Sequence, residues 1–241
     1  MDSNIKLISE NTDGVFSKNP NITFHVVTEP LRKAALDCEC KAFGNAKFVY
    51  NEIFGVDEKE HLKIFESILN SPDNDLVSTC AVDNISKQVV CGMRNEPYPP
   101  NGIHVYPVLP DGSIHPYVGN LSVLDAEWPK LFAKMGLEPN EKEFLYFFMG
   151  YTDPKYFNQG IYSELYQFTE RVAKSKGYKY IFGLLMSKAM QAVMTRKFGY
   201  SNLLEMGFDE VRVNGEFPMK KFIEEHPEYQ SDTIMFAFKK I

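Results

Sequence analysis

Backbone amide groups around one glycine give this chain its most direct means of binding a ligand. Gly160 stands between an apolar run, EFLYFFMGYTD (143–153), and a segment whose apolar residues recur at helical spacing. Where a strand leads through a glycine into a helix, the first N–H groups of the helix lack intrahelical partners and favour an anion such as a phosphate. A plain strand–helix–strand crossover uses the same glycine turn, so this pattern alone leaves both interpretations open.

The elements on either side of Gly160 must position those amides. The run 143–153 is typical of a strand that is buried on both faces. Apolar side chains then recur at steps of four, three and four from Ile161 to Val172, which predicts the buried face of a helix. Gly177 stands where a helix C-terminus is expected.

A second strand and helix follow in the same stretch. YKYIFGLLM (178–186) is another apolar run and is predicted as a buried strand. Ser187 can cap a further helix, which closes at Gly199. The stretch 143–200 is therefore predicted as strand, loop, helix, strand, helix.

Composition limits the class of protein and of partner. The chain has 241 residues, 44% of them hydrophobic and 24% charged, which suits a soluble protein with a sizeable core. Its net charge of −6 argues against nucleic acid and is compatible with a cationic small molecule. No segment is long and apolar enough for a bilayer, and the first residues lack the order of a secretory signal. We expect a cytoplasmic protein with no membrane partner; oligomeric state stays open.

The cysteines and histidines predict no metal site. Cys38 and Cys40 are two residues apart on a predicted helix and do not face each other, and Cys80 and Cys91 form no CxxC pair. All four are interpreted as reduced and structural. His104 and His115 lie in a proline-rich segment, where they could act through water or be ordinary solvated residues.

The rest of the chain mixes strands and helices without a change in composition, so we expect a flexible tail at 1–22 and one domain over 23–241. Apolar strands at 76–82 and 88–94 flank a turn-rich link and predict a hairpin. The proline-rich residues 95–120 are predicted as a loop, either a surface insertion or a lid. Further predictions place strands at 21–29, 201–217 and 232–241, and helices at 30–43, 57–70 and 124–137 (interrupted by Pro129). Residues 219–229 are predicted as a short helix or loop, and 43–54 as an irregular segment.

The window from Phe157 to Tyr162 resembles the acetyl-CoA-binding loop of the GNAT superfamily of N-acetyltransferases, and RKFGY (196–200) is similar to that family's helix-to-strand ending. The family's loop has Arg or Gln, two residues, Gly, one residue, then Gly or Ala. Gly160 and Ile161 fit this pattern, whereas Phe157 and Tyr162 depart from it. Residues that look like the arylalkylamine N-acetyltransferase branch are Ser187, Met194, Lys197, Gly199 and Tyr200.

The resemblance is specific over 143–200 and looser over 24–95. It implies an α/β (α+β) GNAT-like fold, in which helices flank a mixed central β-sheet and two core strands splay apart. It also implies acetyl-CoA as co-substrate, a small amine as acceptor, and no metal.

The resemblance assigns cofactor contacts to two neighbouring segments. Backbone N–H groups of the loop would cradle the pyrophosphate, and the preceding strand would pair with the pantetheine arm, with one N–H near the thioester carbonyl. The departures at Phe157 and Tyr162 predict weaker or altered binding. The implied cofactor-binding residues are Gly150, Tyr151, Thr152, Phe157, Asn158, Gln159, Gly160, Ile161, Tyr162 and Gln191.

Candidates for proton transfer are less well defined. Tyr146 stands where some relatives have a catalytic glutamate, but tyrosine is a poor base unless its pKa is perturbed, and the ring could simply be packed in a strand. Glu39, with Asp37 nearby, could replace the acidic residue that the arylalkylamine branch has near its first helix, or lie on a solvated helix face. Ser187 resembles that branch's first catalytic serine, and the alternative is an N-cap.

Gln191 stands in place of that branch's second serine and has no hydroxyl. Thr195 stands where many relatives have a tyrosine that reprotonates the thiolate. We therefore expect N-acetylation of a small primary amine by its direct attack on the thioester. The alternatives are an amino acid, polyamine or peptide acceptor, or a degenerate domain that binds CoA without turnover.

Overall fold

The computed structural model describes residues 14–44, 49–69, 77–99, 116–213, 215–229 and 232–241. They belong to two compact units: the first draws on 1–46, 57–97 and 147–178, and the second on 47–56, 98–146 and 179–241. Strand β5 (Phe144–Thr152) passes from the second unit into the first after Tyr146.

Antiparallel strands form most of the sheet in the first unit. The strands follow one another across the sheet in the order β1 (Val15–Phe16), β2 (Ile22–Val26), β3 (Thr79–Asp83), β4 (Gln88–Pro97) and the second half of β5. Strands β3 and β4 form the predicted hairpin, and Asp83 pairs with Gln88 across its turn. Lys87 has a φ of 58° in that turn.

Helices cover both faces of this sheet. Helices α1 (Glu29–Gly44) and α3 (Glu58–Leu69) contact each other, and Cys80 on β3 packs in one cluster with residues of α1. Thr79, the residue before Cys80 on β3, contacts Thr169 of α6 (Ile161–Ser175). Because successive side chains of a strand point to opposite faces, α1 and α6 lie on opposite sides of the sheet.

The second unit continues the mixed sheet. The first half of β5 pairs in parallel with β6 (Tyr180–Leu185), over Phe144–Tyr146 and Tyr180–Phe182. The order then runs to β8 (Thr233–Lys240) and β7 (Ser201–Gly207), both antiparallel to their neighbours. The helices of this unit are α2 (Val49–Phe54), α4 (Pro116–Asp125), α5 (Trp128–Lys134), α7 (Lys188–Ala192), a π-helical turn (Val193–Lys197) and α8 (Lys220–Glu225).

Stacked and edge-on aromatic rings fill the core of the second unit. Trp128 and Phe132 of α5 lie with ring centroids 5.5 Å apart, and Trp128 meets Phe182 of β6 at 4.8 Å. Phe144 of β5 and Phe236 of β8 join them at 5.2 Å and 5.1 Å. Such pairs stabilise a core by about 0.5–1.5 kcal/mol each beyond the burial of their area. They hold the first half of β5 against α5.

Several boundary predictions were wrong. Residues 49–54 of the segment predicted as irregular form α2, while 45–48 lie outside the described residues. Of the predicted loop 95–120, β4 takes the start and α4 the end, and 100–115 lies outside the described residues together with His104 and His115. Pro129 stands in the first turn of α5, where its missing N–H has no cost, rather than interrupting a helix.

Candidate functional site

The loop between β5 and α6 begins at a firmly held aspartate. The backbone N–H of Asp153 donates to Val90 O of β4 at 2.8 Å, and its carboxylate accepts from the Lys155 N–H at 3.0 Å. The same carboxylate binds Lys41 Nζ of α1 at 2.8 Å. Asp153 thus caps the short helical turn Pro154–Tyr156 and ties the loop to both a strand and a helix.

At the Asp153–Lys41 pair, charge and hydrogen bonding counteract the effect of burial on the pKa of Asp153. Burial raises the pKa of the Asp153 carboxyl, but hydrogen bonds from Lys41 and the Lys155 backbone outweigh it and hold that pKa below its ordinary value. The bond to Asp153 raises the pKa of Lys41. Tyr156, within the turn, donates to Asp83 Oδ2 of the β3–β4 hairpin at 2.6 Å. The loop therefore leaves β5 in a defined direction.

The glycine turn itself is open. Gly160 is the N-cap residue of α6 with a φ of 77°, and a Cβ atom built on it would meet no atom of the described residues within 4 Å. Asn158 also has a positive φ, 61°, and Phe157 is 55% exposed. Ile161 is buried and fixes the start of the helix. The first N–H groups of α6 follow this turn, at the positive end of the helix dipole.

The first turn of α6 is also held by the segment after β1. Glu164 Oε2 accepts from Ser17 Oγ at 2.8 Å and from the Lys18 N–H at 2.9 Å. A carboxylate in the first turn suits the helix dipole, so this contact stabilises the helix start.

Tyr162, the residue that departs most from the family's loop, does not fill the glycine turn. A Cβ atom built on Gly150 would lie 2.5 Å from the Tyr162 hydroxyl oxygen. The ring therefore lies against β5 rather than beside Gly160. Burial raises the pKa of Tyr162 well above its ordinary value, with smaller contributions from Cys91 and Tyr166.

The two residues after Gly150 point to different neighbours. Tyr151 is 6% exposed and packs in the cluster of α1, against Gly92 of β4. The Thr152 hydroxyl lies 3.2 Å from Cys91 Sγ. Their side chains thus fix β5 in the first unit and leave its backbone as the part that could meet a ligand.

Glu39 lies in the interior of the first unit rather than on a solvated helix face. Its Oε1 is 3.3 Å from His61 Nε2 of α3 and 3.4 Å from Arg94 Nη2 of β4. The three residues are 1%, 0% and 3% exposed. Arg94 also covers the Phe148 ring at 4.4 Å from the ring centroid. The carboxylate thus joins two helices to the sheet.

Tyr146 has a buried partner in the second unit. Its hydroxyl donates to Asp125 Oδ1 of α4 at 2.9 Å, and the two residues are 2% and 1% exposed. A tyrosine hydroxyl that donates a hydrogen bond to a buried carboxylate is poorly placed to accept a proton from an amine.

In the same unit, Ser187 precedes α7 and Gln191 lies within it. The exposed Ser187 hydroxyl accepts from the Met190 N–H at 3.2 Å, which confirms its N-cap role, and as an acceptor it keeps its own proton to donate. Gln191 Nε2 donates to Leu185 O at 2.9 Å and Thr233 O at 2.8 Å. The Thr195 hydroxyl donates to Gln191 O at 2.7 Å.

The predicted residues thus separate by unit. The first unit holds Glu39, the strand residues 150–152 and the loop residues 157–162. The second unit holds Tyr146, Ser187 and Gln191. Within the described ranges, no group of three or more His, Cys, Asp or Glu side chains is arranged to hold a metal ion. No helix in those ranges is long and apolar enough to cross a membrane.

Sequence reasoning missed the partners of these residues. His61, Arg94 and Asp125 carry no pattern of their own, because each meets its partner only after the chain folds. The N-cap at Asp153 did have a signal, since an aspartate directly before a proline commonly starts a helical turn.

Comparison with solved structures identifies the fold. The C-terminal condensation domain of Ebony, in complex with beta-alanyl-dopamine, matches with a TM-score of 0.72 and 18% identity over 91% of this chain and 99% of that chain. The arylalkylamine N-acetyltransferase like 5b of a mosquito matches at 0.65 and 14% over 91% and 100%. Drosophila melanogaster polyamine N-acetyltransferase, which catalyses the formation of N-acetylagmatine, matches at 0.65 and 11% over 91% and 100%.

No family model and no curated protein matches the chain. The fold is nevertheless that of the GNAT N-acetyltransferases, with a mixed sheet flanked by helices. The fold prediction is confirmed, and the similar structures include arylalkylamine N-acetyltransferases.

Proposed function

We propose that this protein is an acetyl-CoA-dependent N-acetyltransferase that acts on a small primary amine. The observation that carries the proposal is the open turn at Gly160, which stands at the start of α6 in a GNAT fold. The turn offers backbone N–H groups and a helix dipole to an anion, and no described side chain lies within 4 Å of the Gly160 Cβ position.

The residues present fit acetyl-CoA. Backbone amides from Asn158 to Tyr162 would hold the pyrophosphate, and β5 at Gly150 to Thr152 would lie beside the pantetheine arm. Acetyl-CoA would supply the acetyl group as a thioester, which the amine attacks directly. Lys41 and Asp153 act before that step, since their ion pair holds the loop in place for binding.

The acceptor we propose is an arylalkylamine-like or otherwise cationic amine. The similar structures carry beta-alanyl-dopamine or are described as enzymes for arylalkylamines and for polyamines. The net charge of −6 favours a cation over an anionic acceptor.

Ser187 is the predicted catalytic residue best placed to move a proton. Its hydroxyl is exposed, whereas Glu39 and Tyr146 are buried and engaged by His61 and Asp125. We propose that Ser187 exchanges protons with the reacting groups, and that Glu39 and Tyr146 support the two units.

A matched pair of tryptophan variants tests the proposal. Gly160→Trp would place a ring in the open turn, whereas Gly136→Trp puts the same ring after α5. Both glycines have positive φ, 77° and 68°, and open space around the Cβ position, so the backbone strain is similar, about 1–2 kcal/mol. Release of CoA thiol is measured with acetyl-CoA and a panel of amines. We expect turnover in the wild type and in Gly136→Trp, and none in Gly160→Trp.

A second candidate function is a degenerate domain that binds CoA without turnover. It is favoured by the exposed Phe157, which offers no polar group to a phosphate. CoA binding without turnover on any amine would support a domain that binds the cofactor only. Equal turnover in the two tryptophan variants would show that the glycine turn is not the cofactor site.

A further inference from the structure

The Tyr162 hydroxyl is a buried polar group with no hydrogen-bond partner among the described residues. Its oxygen lies against the backbone at Gly150, and only a glycine leaves room for it there, because a Cβ atom would stand 2.5 Å away. Phe147 approaches the same position at 2.9 Å, so the hydroxyl is tightly enclosed there.

An unpaired buried hydroxyl is costly. Leaving a buried donor unsatisfied costs about 1–3 kcal/mol, and native proteins keep few such groups. A phenylalanine would fill the same space without that cost. Because burial keeps the pKa of Tyr162 high, the group stays protonated at neutral pH and can act only as a donor or neutral acceptor.

At Gly150, the backbone N–H group of β5 points away from β4. The Asp153 N–H points to Val90 of β4. Since N–H groups alternate in direction along a strand, those of Thr152 and Gly150 point to the opposite edge. A chain bound along that edge would pass Gly150, the residue against which the Tyr162 hydroxyl lies.

We propose that the Tyr162 side chain is a cofactor-positioning group: its hydroxyl donates a hydrogen bond to a carbonyl oxygen of the acyl-pantetheine chain bound along β5 at Gly150. This inference rests on the proposed function and adds to it a side chain that the family's loop, with Gly or Ala at this place, does not have. The residue that departs from the family's pattern would then strengthen cofactor binding rather than impair it.

Titration calorimetry with CoA and with acetyl-CoA, together with the melting temperature of the ligand-free protein, tests the proposal. In Tyr162→Phe the lost bond should weaken binding about fivefold, as expected for one neutral hydrogen bond. A loss of affinity for acetyl-CoA alone would show that the hydrogen-bond acceptor is the thioester carbonyl. A loss of affinity for both ligands would show that it is a pantetheine amide carbonyl. The melting temperature of free Tyr162→Phe should be equal to or above that of the wild type.

The control is Tyr146→Phe, whose hydroxyl is paired with buried Asp125, so that its loss should lower the melting temperature. A lowered melting temperature for free Tyr162→Phe would show that the hydroxyl has a partner without ligand, and would overturn the inference. Unchanged affinity would do the same, as would tighter binding by Tyr162→Ala, which would mark Tyr162 as an obstruction. In these three cases the wild type still binds CoA; absence of wild-type binding would end the proposed function as well.

Discussion

Asp153 joins a strand, a helix and a loop through one side chain. Its contacts to Lys41 and to the Lys155 backbone set the direction in which the chain leaves β5 toward Gly160. Only 11% of the Asp153 side chain is exposed, against 47% for Lys41, so solvent screens one partner more than the other. The pair therefore serves mainly to fix geometry.

Acid should release this contact. The folded-state pKa of Asp153 is lowered, so its stabilising effect is present above the unfolded value of about 3.9 and is lost as pH falls through the folded value. The stability difference between the wild type and Asp153→Asn should be constant at neutral pH and shrink below about pH 4. Urea unfolding of both proteins measures it. A difference that stays constant down to the acid limit would contradict this assignment.

The four cysteines are buried and should be unreactive in the folded protein. Burial raises the pKa of Cys80 and of Cys91 to about 12, and that of Cys38 still higher. Because the thiolate is the reactive form, a thiol reagent at pH near 8 should label almost none of the four before denaturation and all four after it. Rapid labelling of the native protein would show that a thiol is accessible.

At the scale of elements, Glu39 connects α1 to α3 and to β4. Glu39→Ala would leave Arg94 and His61 buried without their carboxylate, and should cost about 3–5 kcal/mol of the free energy of unfolding. Asp37→Ala on the same helix is the control: this side chain is 55% exposed and pairs with exposed Lys33, so the cost should stay within about 0.5 kcal/mol. Similar unfolding midpoints for both variants in urea would refute the structural role of Glu39.

The elements themselves could be predicted from the sequence where local periodicity decides. The strand 143–153, the helix from Ile161 and the hairpin at 83–88 follow from spacing and turn residues, and all three are confirmed within a few residues. Contacts between distant residues could not be predicted in this way. Lys41 and Asp153 are 112 residues apart, and Glu39 meets His61 only because α1 and α3 pack together.

The direction of the Tyr162 side chain is a further case. The sequence shows a bulky residue where the family has a small one, and this predicts crowding in the phosphate loop. The ring instead uses the space left by Gly150 on a neighbouring element. No local pattern carries that information, because it depends on how α6 lies against β5.

At the scale of the whole molecule, the predicted chemistry is divided between the two units. The loop and the second half of β5 belong to the first, and Ser187 and Gln191 to the second, while β5 contributes to both. The residues proposed to hold the diphosphate therefore all belong to the first unit.

Titration of the ligand-free protein with acetyl-CoA tests the central claim most directly, namely that the amides at the Gly160 turn bind the diphosphate of the cofactor. We expect one saturable site, retained in Gly136→Trp and lost in Gly160→Trp. The absence of saturable binding by the wild type at millimolar acetyl-CoA would contradict the account.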